Sequence, residues 1–498
     1  MNYNLYQRFE RNFPSDLEQP ALVNKHGVIA TFRDIIEQSA RMANTLSRMG
    51  AVKGDRITVQ VEKSIAALWL YLGCLRAGLV FHPLNTGYQK TELNYFLSNA
   101  EPKIIVGDVQ TTPLLQELAG SDIKVIDIAE LATSSLDTEA AHTDISMEKD
   151  DLAALLYSSG TTGVPKGIML SHGNLVSNAE TLVSAWGFTP ADTLLHALPI
   201  FHVHGLFVGI SCSLMSGSSM YWLESYSVES VLQALPECSV MMGVPTYYTR
   251  LLAYDEFDRT HAKSVRLFIS GSAPLLPETF RAFETRTGHR ILERYGMTET
   301  GMNSSNPLDG DRLAGTVGPA LPGVSIRISD NENQSVRSGE VGTIQIKGPN
   351  VFQGYWRMPE KTAEDFTADG YFNTGDQGLL DDAGYLSIIG REKDMIITGG
   401  LNVYPKEIEL LLDEQPGIQE SAVFGVSHAD FGEGVVAAIV ETRRGSLTDG
   451  EVIQTVRSEL AGFKVPKAVV FLEELPRNTM GKVQKKQLRD TYADLLSS

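Results

Sequence analysis

Cysteine is scarce in this chain: Cys74, Cys212 and Cys238 are spread over 498 residues, with no C-x-x-C pair. That argues against a disulfide framework or a structural zinc centre and points to a reducing, cytoplasmic setting. Basic charge is also in short supply, with 42 Lys and Arg against 61 Asp and Glu and a net charge of −19. A nucleic-acid binder or a polybasic membrane-surface protein would show the opposite balance, so neither partner is expected. Anionic substrates therefore need local positive sites. The opening stretch Met1–Pro14 lacks the apolar centre of a signal peptide. The longest charge-free run, Thr193–Leu223, holds His196, Pro199, His202 and His204 among several Gly and Ser. It reads as buried core wrapped around a site, because such polar groups are costly in lipid. No internal repeat is evident.

What is present is an alternation of helix and strand. Thr31 opens a helix with Ile35, Met42, Leu46 and Met49 at helical spacing, and Gly50 stops it. The strand Arg56–Val61, a helix over Ala66–Ala77, Phe81–Leu84, a helix bearing Leu93, Phe96 and Leu97, and the strand Ile104–Val106 follow. This predicts an α/β fold of layered, mostly parallel sheets. From Asp108 to Lys149 the signal weakens, whereas Pro319–Lys347, with strands Ser325–Ile328 and Gly342–Lys347, suggests a smaller β-rich subdomain. Beyond Arg391–Lys393 the pattern becomes that of a small α+β unit. A large N-terminal domain, residues 1–391, and a small C-terminal domain, 392–498, are expected, since the chain is too long for one core.

Between the strand Leu152–Tyr157 and a helix from Asn174 onward lies Tyr157-Ser158-Ser159-Gly160-Thr161-Thr162-Gly163-Val164-Pro165-Lys166-Gly167. Glycines admit backbone N–H groups to anionic oxygens, hydroxyls add donors, and Lys166 supplies a point charge. The spacing is not that of a Walker A loop. A phosphate cradle and a plain surface turn both fit this composition.

Four further segments bear on the choice: Glu293-Arg294-Tyr295-Gly296-Met297-Thr298-Glu299-Thr300, Thr374-Gly375-Asp376, Gly390-Arg391-Glu392-Lys393-Asp394 and Pro476–Val483 with Lys482. With the glycine-rich loop, and in this order, they resemble the acyl-adenylate-forming superfamily of acyl-CoA synthetases, adenylation domains and luciferases. The resemblance covers essentially the whole chain. It implies that a carboxylate attacks Mg·ATP to give an acyl-adenylate and pyrophosphate, after which the thiol of CoA displaces AMP. It further implies nucleotide contacts from Ser158, Ser159, Gly160, Thr161, Thr162, Gly163, Lys166, Ser272, Ala273, Pro274, Glu293, Arg294, Tyr295, Gly296, Met297 and Thr298. Glu299 would hold Mg²⁺, Asp376 and Arg391 the ribose, and Lys482 the reacting α-phosphate. Thr298, Lys166 and His202 join Glu299 and Lys482 as expected catalytic residues. Lys393 would be the hinge of a mobile C-terminal domain, and Gly399, Gly400 and Leu401 would face the CoA channel.

The acid pocket is narrower evidence. The strings F-H-V-H-G-L from Phe201, M-G-V-P-T-Y-Y-T-R-L-L from Met242, F-I-S-G-S-A-P-L from Phe268 and M-N-S-S-N-P from Met302 resemble those of malonyl-CoA synthetases. Arg250 lies in an otherwise apolar context, where a cation needs a reason. It either pairs with Asp255 or Glu256, sits exposed at a helix end, or binds a second substrate carboxylate. By the resemblance, Arg250 with Ser270 and Gly271 takes the distal carboxylate, while His202, Val203 and Met302 flank the substrate. An enzyme for another short-chain or aryl acid, or a carrier-loading adenylation enzyme, is the alternative. No protein partner is expected, because no carrier segment follows Lys482. The preference between malonate and methylmalonate, the oligomeric state and the residues for the CoA 3′-phosphate are not legible here.

Overall fold

The computed structural model describes the chain apart from residues 1, 122, 159–164, 274, 276, 392–394, 404, 477–482 and 497–498. Two compact units result: Met1–Thr86 with Leu97–Leu156 and Gly167–Ile389, and Gly87–Phe96 with Tyr157–Lys166 and Gly390–Ser498.

In the first unit, the helix Phe32–Arg48 begins where Thr31 caps it. The Thr31 hydroxyl accepts from Asp34 N, and the Asp34 carboxylate accepts from Thr31 N. Its buried Ile35, Met42, Ala43 and Leu46 pack toward the helix Ile65–Arg76. Gly73 permits that approach, since a Cβ there would lie 2.8 Å from Met42 Cβ.

Alternation of this kind gives parallel sheets covered by helices. One sheet is ordered Lys124–Asp127, Ile104–Gly107, Arg56–Gln60, Val80–Pro83, Leu152–Ser158 and Lys166–Ser171. The other is ordered Gly301–Ser305, Leu292–Met297, Leu267–Ser270, Val240–Gly243, Thr193–His196, Ser219–Trp222, Pro20–Asn24 and Gly27–Thr31. Its inner pairs are parallel and its two edge pairs antiparallel. A four-stranded sheet, Ser325–Ser329, Gly342–Lys347, Phe372–Leu380 and Leu386–Arg391, forms the β-rich part.

The weakly patterned stretch after Asp108 is more regular than its sequence suggests. It carries the helices Thr112–Ala119 and Ile128–Ser135 and the edge strand Lys124–Asp127. With one face exposed and few turns, these elements show little periodicity. The charge-free run is buried core: the strand Thr193–His196, a wide π-type helical stretch His204–Ile210 and the helix Ser211–Ser216. Among the described residues, no helix is long and apolar enough to cross a membrane. All three cysteines are unpaired and buried.

The second unit is built on the strands Leu401–Val403, Ile396–Thr398, Gly432–Glu441 and Ile418–His428, with Ala468–Leu472 beside Gly432–Glu441. The helices Pro405–Asp413 and Asp449–Glu459 contribute to its apolar centre. Gly87–Phe96 belongs to it through Glu92, which with Glu407 accepts hydrogen bonds from the buried Lys464 Nζ.

Candidate functional site

Ligands of parallel α/β sheets bind beyond the carboxyl ends of the strands. In the eight-stranded sheet, the sequence segments of interest end up there. Register pairs Gly243 with Ser270 and Ser270 with Glu293, so the first two strands finish in line while Leu292–Met297 runs on to Met297 beyond them. Gly271, Ser272 and Ala273 follow one of these strands, Thr298 and Glu299 another, and His202 to His204 follow Thr193–His196. Ser272 is held at φ +70°, a left-handed conformation unusual for a residue with a Cβ.

The turn after Leu292–Met297 is held from several sides. Phe352 N donates to Glu299 O at 2.7 Å, and Asn350 Nδ2 donates to Thr300 O at 2.7 Å. Asn303 Nδ2 donates to Thr300 Oγ1 at 2.7 Å. Gly296 has no room for a side chain, since a Cβ would meet Gly301 O at 2.2 Å. Asn178, from the helix His172–Ala185, accepts from Met302 N at 3.1 Å and donates to Met302 O at 3.0 Å. Tyr295 and Asp376 come together: the phenol donates to Asp376 Oδ2 at 2.5 Å. Glu299 is 6% exposed and offers one carboxylate at a strand end. That donor suits Mg²⁺, which is usually held by one or two carboxylates together with substrate phosphates. Among the described residues, no group of three or more His, Cys, Asp or Glu gathers for a metal.

Burial sets the chemistry of the histidines. His202 is pushed down to about 4 by desolvation and then by the charge of Arg294. His204 is lowered further for the same two reasons, so both imidazoles are neutral near pH 7. His204 Nδ1 lies 3.2 Å from Ser272 Oγ, and its Nε2 has no partner. Burial also raises Glu293 to about 8, partly offset because its Oε1 accepts from Leu275 N.

Of the alternatives open for Arg250, an ion pair to Asp255 or Glu256 is not found among the described residues, and the side chain is exposed in the last turn of the helix Pro245–Leu252. The apolar neighbours in its sequence face inward, as Tyr248 and Leu251 do. Arg294, in contrast, is buried, 3% exposed. Val203 and Met302 are buried, and Ser270 is fully buried with its hydroxyl unpartnered. Lys166 starts the strand Lys166–Ser171 and is itself buried.

Sequence reasoning missed Lys63. Its Nζ donates to His196 Nδ1 at 2.8 Å, His196 O at 2.8 Å and Leu223 O at 2.6 Å. His196 Nε2 in turn donates to Gly205 O at 2.9 Å, tying two strand ends to the first turn of the π-type stretch. No local motif announces a contact spanning this much of the chain.

In the second unit, Gly399 and Gly400 form the two-residue turn between Ile396–Thr398 and Leu401–Val403, with φ +57° and +78°. A tight hairpin of this twist needs positive φ at both positions, which by itself explains both glycines. Arg391 ends the strand Leu386–Arg391. Ser159, Gly160, Thr161, Thr162, Gly163, Pro274, Lys393 and Lys482 lie outside the described residues.

Helix-covered parallel sheets, a hydrogen-bonded Tyr–Asp pair and a carboxylate at a strand end fit the class of adenylate-forming enzymes. The chain belongs to the AMP-binding enzyme family: the family profile matches residues 9–356, and that of the AMP-binding enzyme C-terminal domain matches 407–482. It is similar to the crystal structure of ATP-bound MatB from Rhodopseudomonas palustris, at 48% identity over 100% of both chains with a TM-score of 0.78. A malonate–CoA ligase of Arabidopsis thaliana is 36% identical over 479 residues, 88% of this chain and 78% of that protein. A sulfoacetate–CoA ligase of Cupriavidus necator is 35% identical over 474 residues, 93% of this chain and 92% of that one.

Proposed function

We propose that this chain ligates malonate to coenzyme A, converting ATP to AMP and pyrophosphate through a malonyl-adenylate. The observation carrying this reading is its 36% identity to a malonate–CoA ligase across 88% of the chain. The sulfoacetate relative supports a pocket for the same kind of acid, since both substrates join a carboxylate and a second anionic group through one carbon. Sulfoacetate is accordingly the second reading.

In the first half-reaction, a substrate carboxylate oxygen attacks the α-phosphorus and pyrophosphate leaves. In the second, the CoA sulfur attacks the acyl carbon, the thiol gives up its proton and AMP leaves. Ser158 to Lys166 would hold the departing phosphates, Tyr295 the base, and Asp376 with Arg391 the ribose. Thr298 and Lys482 would meet the α-phosphate, where negative charge gathers as bonds change. Mg²⁺ held by Glu299 would neutralise phosphate charge. His202, neutral by burial, suits a gate beside the thiol path better than an acid. Val203 and Met302 would bound the substrate's C2 carbon, leaving a 2-methyl group to be tested. Lys393 would be the hinge between domains 1–391 and 392–498. Free small molecules in the cytoplasm suffice as partners, in keeping with three unpaired cysteines.

The test is pyrophosphate release and CoA-thioester formation from malonate, methylmalonate, sulfoacetate, acetate and succinate side by side. Malonate should give the highest kcat/KM. A higher value for acetate would overturn the reading, and a higher value for sulfoacetate would replace malonate within it.

A further inference from the structure

Lys464 is 2% exposed, and two carboxylates share its ammonium: Nζ donates to Glu92 Oε1 at 2.5 Å and to Glu407 Oε1 at 2.8 Å. Burial opposes the charge, but Glu407 and Glu92 together outweigh it and raise the lysine's affinity for a proton. Glu407, 57 positions away, already balances the lysine. Glu92 lies 372 positions away and adds a second buried carboxylate, one that burial pushes above the usual range with Lys464 opposing. A desolvated acid beyond the one needed for balance is costly, so its presence needs another cause.

That cause lies in the helix to which Glu92 belongs. Its Oε2 accepts from Gln89 N at 3.0 Å, holding the first turn of the helix Lys90–Ala100. One turn on, Tyr95 and Phe96 follow on the same side. The Tyr95 hydroxyl donates to Pro165 O at 2.8 Å, and the Phe96 ring centroid lies 4.8 Å from that of Tyr157. Tyr88 joins the two ends of this contact, with its ring 5.0 Å from Lys464 Nζ and 4.9 Å from the Phe96 ring. Tyr157 and Pro165 flank the glycine-rich loop, so one short helix grips both of its ends while Lys464 holds the start of that helix. Glu407 stands on the helix Pro405–Asp413, whose Glu409 meets Lys485 Nζ at 2.5 Å, just beyond Lys482 in the sequence. All of these segments belong to the second unit.

We propose that the Lys464–Glu92 contact is a positioning device for adenylate formation: through the helix Lys90–Ala100 it fixes both ends of the phosphate loop in register with the segment that carries Lys482. Lys464 and Glu92 act through Tyr95, Phe96 and Tyr157 and are positioning residues. The inference rests on the reading of Ser158 to Lys166 as the holder of the departing phosphates. Pyrophosphate leaves in the first half-reaction, so the second makes no demand on the loop. A fault in the contact therefore separates the two steps, which a general loss of stability does not.

The experiment compares wild type, Lys464→Met, Lys464→Arg, Glu92→Leu, Tyr95→Phe and Arg444→Met, the last removing an exposed ion pair with Glu473 in the same unit. For each, ATP–pyrophosphate exchange with malonate, thioester formation from supplied malonyl-adenylate and CoA, and the melting temperature are measured. Lys464→Met and Glu92→Leu should lower kcat/KM for Mg·ATP in exchange by about 10²-fold, as for a misplacement of about an ångström. The KM for Mg·ATP should rise more than that for malonate, and thioester formation should hold. Tyr95→Phe should lose about 2–10-fold in exchange, the worth of one neutral hydrogen bond. Lys464→Arg should retain part of the wild-type rate, and Arg444→Met all of it. Equal losses in the two half-reactions of Lys464→Met and Glu92→Leu mark a merely structural lysine and overturn the proposal, as does unchanged exchange. Should Lys464→Met not fold, Glu92→Leu, which leaves one ammonium facing one carboxylate, decides by the same criterion. Wild-type preference for acetate refutes the malonate reading on its own, and the variants are then compared on acetate and acetyl-adenylate.

Discussion

Lys63 donates to His196 at 2.8 Å although the two are 133 positions apart, and both are buried. The ammonium meets three acceptors and lies 4.3 Å from the Trp222 ring centroid. Burial lowers its affinity for a proton well below that of an ordinary lysine, yet its three hydrogens are all used. Lys63→Met should leave His196 Nδ1 and two carbonyls unsatisfied, at about 1–3 kcal/mol each before relaxation. A lower urea midpoint for the first unfolding transition is the expected outcome; a midpoint equal to wild type would remove the clamp from the account.

Glu293 sets a pH dependence. Its carboxyl keeps a proton up to about 8 in the folded chain, whereas the unfolded chain releases it near 4.5. Within that window the folded state binds more protons, so stability falls as pH rises and levels off above it. The slope is at most about 1.4 kcal/mol per pH unit. Glu293→Gln should flatten this dependence and be more stable relative to wild type at pH 8 than at pH 5, measured by urea denaturation at both. Parallel curves at the two pH values would contradict the assignment.

Lys482 is expected to act in the first half-reaction alone. Lys482→Ala should slow adenylate formation by roughly two to three orders of magnitude, as for loss of one preorganised charge contact. Thioester formation from supplied malonyl-adenylate should be far less affected. Equal losses in pyrophosphate exchange and in the thiol step would remove its special role.

The Gly399–Gly400 turn separates two explanations. Gly399→Ala forces a Cβ into positive φ and toward Phe431 Cδ1 at 3.2 Å, and the backbone term costs about 1–2 kcal/mol. If the turn is all that matters, the melting temperature drops and turnover of the folded enzyme holds. A selective loss of the thiol step, with pyrophosphate exchange retained, would instead support a CoA channel along the hairpin.

How much of this was legible beforehand differs by element. The Thr31 cap, the alternating strands and the β-rich segment at Ser325 were readable because capping and periodicity are local. Residues 112–135 were not, since short, half-exposed elements leave little pattern. The order of motifs disclosed the family, but the location of charge did not follow from it. The sequence around Arg250 is apolar and leaves its exposure open, and only the helix shows that those neighbours turn inward while the arginine faces out. Arg294 reads as part of a nucleotide string, and only the register of Leu267–Ser270 beside Leu292–Met297 brings it to Gly271. Lys63, Asn178 and Asn350 act across long sequence distances, which no spacing rule encodes.

Asn178 engages both the N–H and the C=O of Met302, as a neighbouring strand would. One amide on a helix therefore anchors the main chain at this position, and the Met302 side chain is not needed to hold it. If Met302 bounds the acid as proposed, substitution there should alter the space beside it while the turn bearing Thr298 and Glu299 stays in place. Substrate volume and phosphate chemistry would then be set by separate parts, so that new acid preferences could arise in this scaffold without that turn being rebuilt.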